Sequence, residues 1–277
     1  MDFRILCLTL VLALLLTGCY GECAEPGPTT AANVPTTVPA ETTLPETTLP
    51  ETTVPETILP PTTCPAETEP EFSLHSGIRS DGTFGEGTLF IGDSLTVGLV
   101  KHYLTDNQLL GDARYLAACG AALTAFHLGP RMGDGTTPCV YSPEYEGLRM
   151  QEAILVEPQR TTAVYIMLGT NYSKYASDET YIEIVDALLQ SCPNATVYLQ
   201  LVPNDDSERV NSARANQMTQ RVYDYYLSAG NERVQCVDTC AAIGWCLAAD
   251  GIHLTTEGQE NWYNCLLAFA AENGIPE

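Results

Sequence analysis

Phe90-Ile91-Gly92-Asp93-Ser94-Leu95-Thr96-Val97-Gly98 is the stretch on which the reading of this chain turns. Residues 88–91 are an apolar run with strand character, and the residues that follow carry a helical pattern. Gly92 and Asp93 therefore fall in a tight strand-to-helix turn, with Ser94 exposed at the carboxyl end of the strand. Gly92 permits the bend, and Asp93 braces the turn rather than reacting. The backbone N–H at the start of the next helix can stabilise an oxyanion developing beside it. Taken alone, the motif also fits a serine that only caps a helix.

Four more runs rich in β-branched and apolar residues follow, at 113–116, 163–168, 196–201 and 234–237. Helical patterns lie between them. Residues 178–190 place Ile182, Val185, Leu188 and Leu189 on one face behind a Ser177 cap, residues 212–227 behave alike, and a last helix runs over 256–273. Apolar strands alternating with helices predict a parallel sheet covered on both faces, an α/β fold in three layers, α/β/α, around five parallel strands. In such sheets ligands sit at the carboxyl ends of the strands.

Chemistry does collect there. The second strand leads into Ala118-Cys119-Gly120, and the third ends in Met167-Leu168-Gly169-Thr170-Asn171, which offers a carboxamide donor. Asp250-Gly251-Ile252-His253 puts a carboxylate and an imidazole three residues apart, close enough for one to orient the other. Together these four pieces resemble the SGNH hydrolases, also called the GDSL esterases and lipases, over nearly all of residues 86–270 and in that family's order. The resemblance implies the family's flavodoxin-like sandwich and an ester hydrolase working through an acyl-enzyme. It makes Ser94 the nucleophile, His253 the general base and Asp250 the group that orients the imidazole. It makes the Ser94 and Gly120 backbone N–H groups and the Asn171 side chain the oxyanion hole. The chemistry agrees: a serine hydroxyl is a poor nucleophile until a neutral, oriented imidazole accepts its proton.

The G-x-S-x-G elbow of the other serine-hydrolase fold is absent, since position 96 is Thr and acid and base share one turn. Tyr172 stands where the SGNH pattern often has Asp, which implies an altered pocket wall. His75, His102 and His127 lack a carboxylate at the spacing of Asp250 and read as structural or solvated. Residues 129–147 form a Gly-, Pro- and Tyr-rich stretch longer than a plain crossover, in which Tyr141 and Tyr145 either stack on a sugar, close the site, or fill structure.

Upstream of the domain the chain changes character. Residues 5–16 form an apolar run too short to span a bilayer and suited to a signal peptide. The run ends in Leu16-Thr17-Gly18-Cys19, which resembles the bacterial lipobox and implies a diacylated Cys19 as mature N-terminus; cleavage nearer Ala24, with simple secretion, is the alternative. Residues 20–72 repeat Glu-Thr-Thr-Leu-Pro and its variants, cannot bury a core, and form an extended spacer. At about 3.1 Å per residue it reaches on the order of 150 Å. The organisation expected is 1–19 signal, 20–72 stalk and 73–277 catalytic domain, held at the outer face of a cell membrane.

The formal charge is −23, of which nine stalk glutamates account for −9 and the domain for −14, because Asp2 and Arg4 cancel. Such a field repels a phosphate backbone, so nucleic-acid partners are excluded. Of eleven cysteines, seven lie in the domain, an odd number that cannot all pair internally. One or two disulfides and buried thiols are both open. Cys236, Cys240 and Cys246 lack the neighbours that would complete a zinc pattern, and no metal or cofactor is expected. The expected substrate is an ester, first an O-acetylated extracellular carbohydrate. A lysophospholipase, lipase or thioesterase is the alternative within enzymes, and a non-catalytic surface binder the alternative outside them.

Overall fold

The computed structural model describes residues 74–123, 131–135, 139–156, 160–171, 176–207 and 210–273. Cys19, the stalk repeats, His127 and Tyr172 lie outside the described residues. The strands are β1 (Thr88–Gly92), β2 (Arg114–Ala118), β3 (Cys139–Tyr141), β4 (Ala163–Met167), β5 (Thr196–Gln200) and β6 (Val234–Val237). They form one sheet in the order β3-β2-β1-β4-β5-β6.

Five of these strands are the expected parallel set, and the sixth is an addition. β3 runs antiparallel on the outer edge of β2, pairing Leu116 with Tyr141 and Ala118 with Cys139. Three residues do not make a recognisable apolar run, so this edge strand is set by its partner rather than by its own pattern.

Side chains alternate across each strand and divide the core into two. Leu89, Ile91, Val164, Ile166, Val197 and Leu199 face one way. They are covered by α2 (Met150–Leu155), α3 (Asp178–Ser191) and α4 (Ser212–Ser228). Phe90, Tyr165 and Tyr198 face the other way. Their cover is α1 (Ser94–Val97), the π-helical segment Gly98–Leu104 that continues it, α5 (Thr239–Ile243) and α6 (Thr256–Glu272). Ser177 caps α3 as expected, accepting from the Thr180 N–H, and Thr255 caps α6 by accepting from Gly258. The fully buried face of α3 is Tyr181, Ile184, Val185 and Leu188, whereas the expected Ile182 and Leu189 are only half-buried. The apolar stripe is wide, and its centre is fixed by the sheet beneath.

Phe90, Tyr165 and Tyr198 occupy matched positions on three neighbouring strands. Their rings stack at 5.4 Å and 4.8 Å, a pairing worth about 0.5–1.5 kcal/mol beyond area burial. The two tyrosine hydroxyls donate to the carbonyls of Ser76 and His75, both at 2.7 Å, so neither of these phenols is buried unpaired. The same entering segment is held at the first residues of β1 and β5. Thr88 donates to the Gly77 carbonyl at 2.9 Å, and the His75 N–H donates to Thr196 at 3.1 Å. His75 is thus structural through its backbone. At the opposite end, the chain turns from β1 to β2 on one side and reaches β4 on the other. That reversal opens a crevice beyond the carboxyl end of β1.

Candidate active site

Gly92 pairs with Ala117 of β2 and Met167 of β4, so the turns carrying Ser94, Gly120 and Asn171 leave from three adjacent strand ends. Ser94 opens α1, with Asp93 as its cap: the Asp93 carboxylate accepts the Leu95 N–H at 3.0 Å. Gly92 is required for space rather than for bending. A Cβ there would lie 2.0 Å from Thr96 Oγ1 and 2.8 Å from the Met167 carbonyl, while its backbone angle is one that any residue adopts. Gly120 is the converse case, with open space around it and φ +77°, a conformation that favours glycine.

His253 arrives from the far end of the chain. Asp250 Oδ1 accepts the N–H groups of Ile252 at 3.1 Å and His253 at 3.0 Å, closing a tight turn. Gly251 makes the turn possible at φ +70°, its missing Cβ leaving room for the Asp206 carbonyl 2.9 Å away. The pairing of Leu247 with Leu254, and the Ala248 N–H on the His253 carbonyl at 2.6 Å, fix the turn to its neighbour. His253 Nδ1 then meets Asp250 Oδ2 at 2.5 Å, and His253 Nε2 meets Ser94 Oγ at 3.0 Å. Burial pushes the Asp250 carboxyl up, but the His253 side chain and the two turn N–H groups outweigh it and hold it at about 2. The carboxylate therefore stays ionised and keeps a hydrogen on Nδ1, leaving Nε2 free to accept from Ser94.

Asp93 lives under opposite conditions. It is completely buried, and burial pushes its carboxyl up to about 6, against the pull of the Leu95 N–H, the Thr170 hydroxyl and His253. The Asn171 amide donates to Asp93 Oδ2 at 3.3 Å and to the Ala121 carbonyl at 3.1 Å. One carboxamide thereby ties together the turns after β1, β2 and β4.

The cavity at Ser94 and His253 measures about 330 Å³ and is lined further by Leu95, Val97, Gly98, His102, Cys119, Leu254 and Gln259. Roomier depressions of about 560 and 430 Å³ lie at Ser76–Tyr263 and at Arg114–Arg160, and neither holds a nucleophile beside a base. His102, expected to be structural or solvated, is on the wall of the Ser94 cavity. Sequence reading also missed Gln259 and Cys119. Position 119, directly before Gly120, was the one hint. Tyr145, conversely, is fully buried and accepts from Arg114 at 3.3 Å, and Tyr141 lies on β3 packed against the core. Tyr145 is thus structural filling, and neither tyrosine lines the Ser94 cavity. The seven described cysteines are all thiols. Among the described residues, no group of three or more His, Cys, Asp or Glu is placed to hold a metal.

Fold and site together give a doubly wound sheet with a Ser–His–Asp relay beyond its carboxyl edge. Residues 90–260, more than half of the chain, match the GDSL-like lipase/acylhydrolase family, and the chain belongs to that family. No curated protein matches it. Among solved structures, a family two carbohydrate esterase from Clostridium thermocellum in complex with cellohexaose superposes with TM-score 0.47 at 17% identity, over 68% of this chain and 65% of that one. This chain thus spans just under two thirds of that enzyme's length. A carbohydrate esterase family 3 protein from Talaromyces cellulolyticus superposes with TM-score 0.44 at 15% identity, over 67% and 96% of the two chains. A lipolytic G-D-S-L family member from Veillonella parvula gives 0.43 at 13%, over 65% and 96%.

Proposed function

We propose that Ser94 Oγ attacks the carbonyl of a short-chain ester while His253 Nε2 takes its proton, and that His253 returns the proton to the departing alcohol. Water, activated by the same imidazole, then releases the acid from Ser94. Asp250 orients the ring throughout. The oxyanion is met by the Ser94 and Gly120 N–H groups and by Asn171, whose longer contact, to Asp93, is the cheaper one to release. The observation that carries this reading is the continuous Ser94–His253–Asp250 relay at 3.0 and 2.5 Å, opening into a cavity of only about 330 Å³. We assign the alcohol as carbohydrate outside the cell, with the domain tethered through a lipid on Cys19 and the 20–72 stalk. The N-terminal sequence pattern supports that tether.

Hydrolysis of p-nitrophenyl acetate, butyrate and octanoate tests the chemistry, with Ser94→Ala as control. Activity falling with chain length, absent in the variant, together with fluorophosphonate labelling of Ser94 is the expected result. A preference for octanoate would replace the short-acyl reading with a lipase, and equal rates in the variant would remove Ser94 as nucleophile. Mass determination of the mature N-terminus, with Cys19→Ala as the comparison, tests the anchor.

A further inference from the structure

Gly98 is a glycine in an ordinary helical conformation, φ −58° and ψ −51°, where the backbone has no need of one. Glycine is the poorest helix former after proline, so its presence needs a reason in its surroundings. That reason is Gln259: a Cβ on Gly98 would stand 3.0 Å from Gln259 Nε2. The missing methyl lets the amide from the first turns of α6 lie against the nucleophile's helix at the cavity wall. Just beyond Gly98 the winding is π-helical, with i to i+5 bonding such as the Thr105 N–H to the Val100 carbonyl. Such winding puts residues five apart on one face, and it brings His102 onto the cavity wall with Val97.

The position of this wall relative to the chemistry assigns its role. His253 and Leu254 bound the cavity, whereas Gly120 and Asn171 do not line it. The imidazole that protonates the leaving oxygen must face that oxygen, so the space on the His253 side is where the alcohol sits. Among the described residues, no Asp, Glu, Lys or Arg lines it. An amide with both donor and acceptor and an imidazole stand among Leu95, Val97 and Leu254, a set that matches a neutral polyol: hydroxyls for the polar groups, C–H faces for the apolar ones.

We propose that His102 and Gln259 form the leaving-alcohol subsite, hydrogen-bonding hydroxyls of a neutral sugar adjacent to the scissile ester. They select the alcohol rather than perform the reaction. This inference rests on the carbohydrate-ester reading above and specifies which residues recognise the sugar.

The test compares kcat/KM for a monoacetylated methyl glycoside with that for butyl acetate, in the full domain and in Gln259→Leu, His102→Leu and Gly98→Ala. Each variant is expected to lower the glycoside-to-butyl ratio about 10-fold, the value of one neutral hydrogen bond. Gly98→Ala is the safeguard, because alanine favours the helix and the loss cannot be ascribed to unfolding. His102→Gln, which keeps a donor and acceptor, is expected to recover part of the ratio. A wild type that cleaves the glycoside, with variants whose ratio is unchanged, overturns the subsite alone. A shift in acetate-to-butyrate preference with no change in the alcohol ratio overturns it by placing the wall on the acyl side. A wild type that cleaves butyl acetate but not the glycoside overturns the carbohydrate reading, and the subsite with it.

Discussion

Asp93 and Asp250 belong to the same site and have been given opposite environments. Asp250 sits in a turn with about half its side chain exposed, surrounded by donors, and is held at about 2. Asp93 lies under the nucleophile turn with no exposure at all and is pushed up to about 6. Identical side chains are thus divided by burial into a permanent charge that orients a base and a buried strut that holds three turns together. The proposed mechanism needs the first to keep its charge and the second to keep its geometry.

The comparison breaks most visibly at Asp250. Asp250→Asn leaves the turn's acceptor in place but loses the charge that fixes the imidazole hydrogen on Nδ1, and kcat should fall on the order of 10⁴-fold. Steady-state kinetics beside an unchanged circular dichroism spectrum would check it; a loss below tenfold would mean that His253 does not need this partner. Asn171→Ala removes one side-chain donor and should lower kcat by about 10²–10³ with little change in KM. If KM moved and kcat did not, Asn171 would be a substrate contact instead.

Asp93→Asn sharpens the contrast through stability. The folded value, about 6, lies above the ordinary 3.8, so the native state binds the extra proton. The stability this gives is fully present below pH 3.8 and is lost as pH rises through 6, amounting to on the order of 3 kcal/mol by pH 7. Urea unfolding at pH 4, 5, 6 and 7 should show wild type losing that much more than Asp93→Asn; parallel curves would mean that Asp93 titrates normally. The smallest effect is expected where a carboxylate is neither buried nor catalytic. Arg221→Ala removes an ion pair with Asp178 at 2.7 Å, and because the Arg221 side chain is 55% exposed the cost should stay below about 1 kcal/mol.

The parts of the molecule that could be read in advance are those specified locally. The five parallel strands lie within one or two residues of their apolar runs, because a buried parallel strand must be apolar along its length. Ser94 and the Asp250–His253 pair stood out for a similar reason: a four-residue turn is written in consecutive residues. β3 could not be read, since Cys139–Tyr141 becomes a strand only through the edge of β2. Tyr145 stayed open between stacking on a sugar, closing the site and filling structure, because its burial depends on Arg114, thirty-one positions away. His102 and Gln259 are missed for a third reason. Their meeting at one wall depends on π winding and on a glycine whose backbone is ordinary, and neither leaves a mark in hydrophobic periodicity.

The hydrogen bonds of Gly77 and His75 to Thr88 and Thr196 fix where the described chain meets the sheet. The described chain enters at one end of β1 and the Ser94 turn lies at the other, separated by a five-residue strand, about 16 Å. The entering segment and the Ser94 crevice therefore occupy opposite ends of β1, so a group held at the first does not obstruct the second.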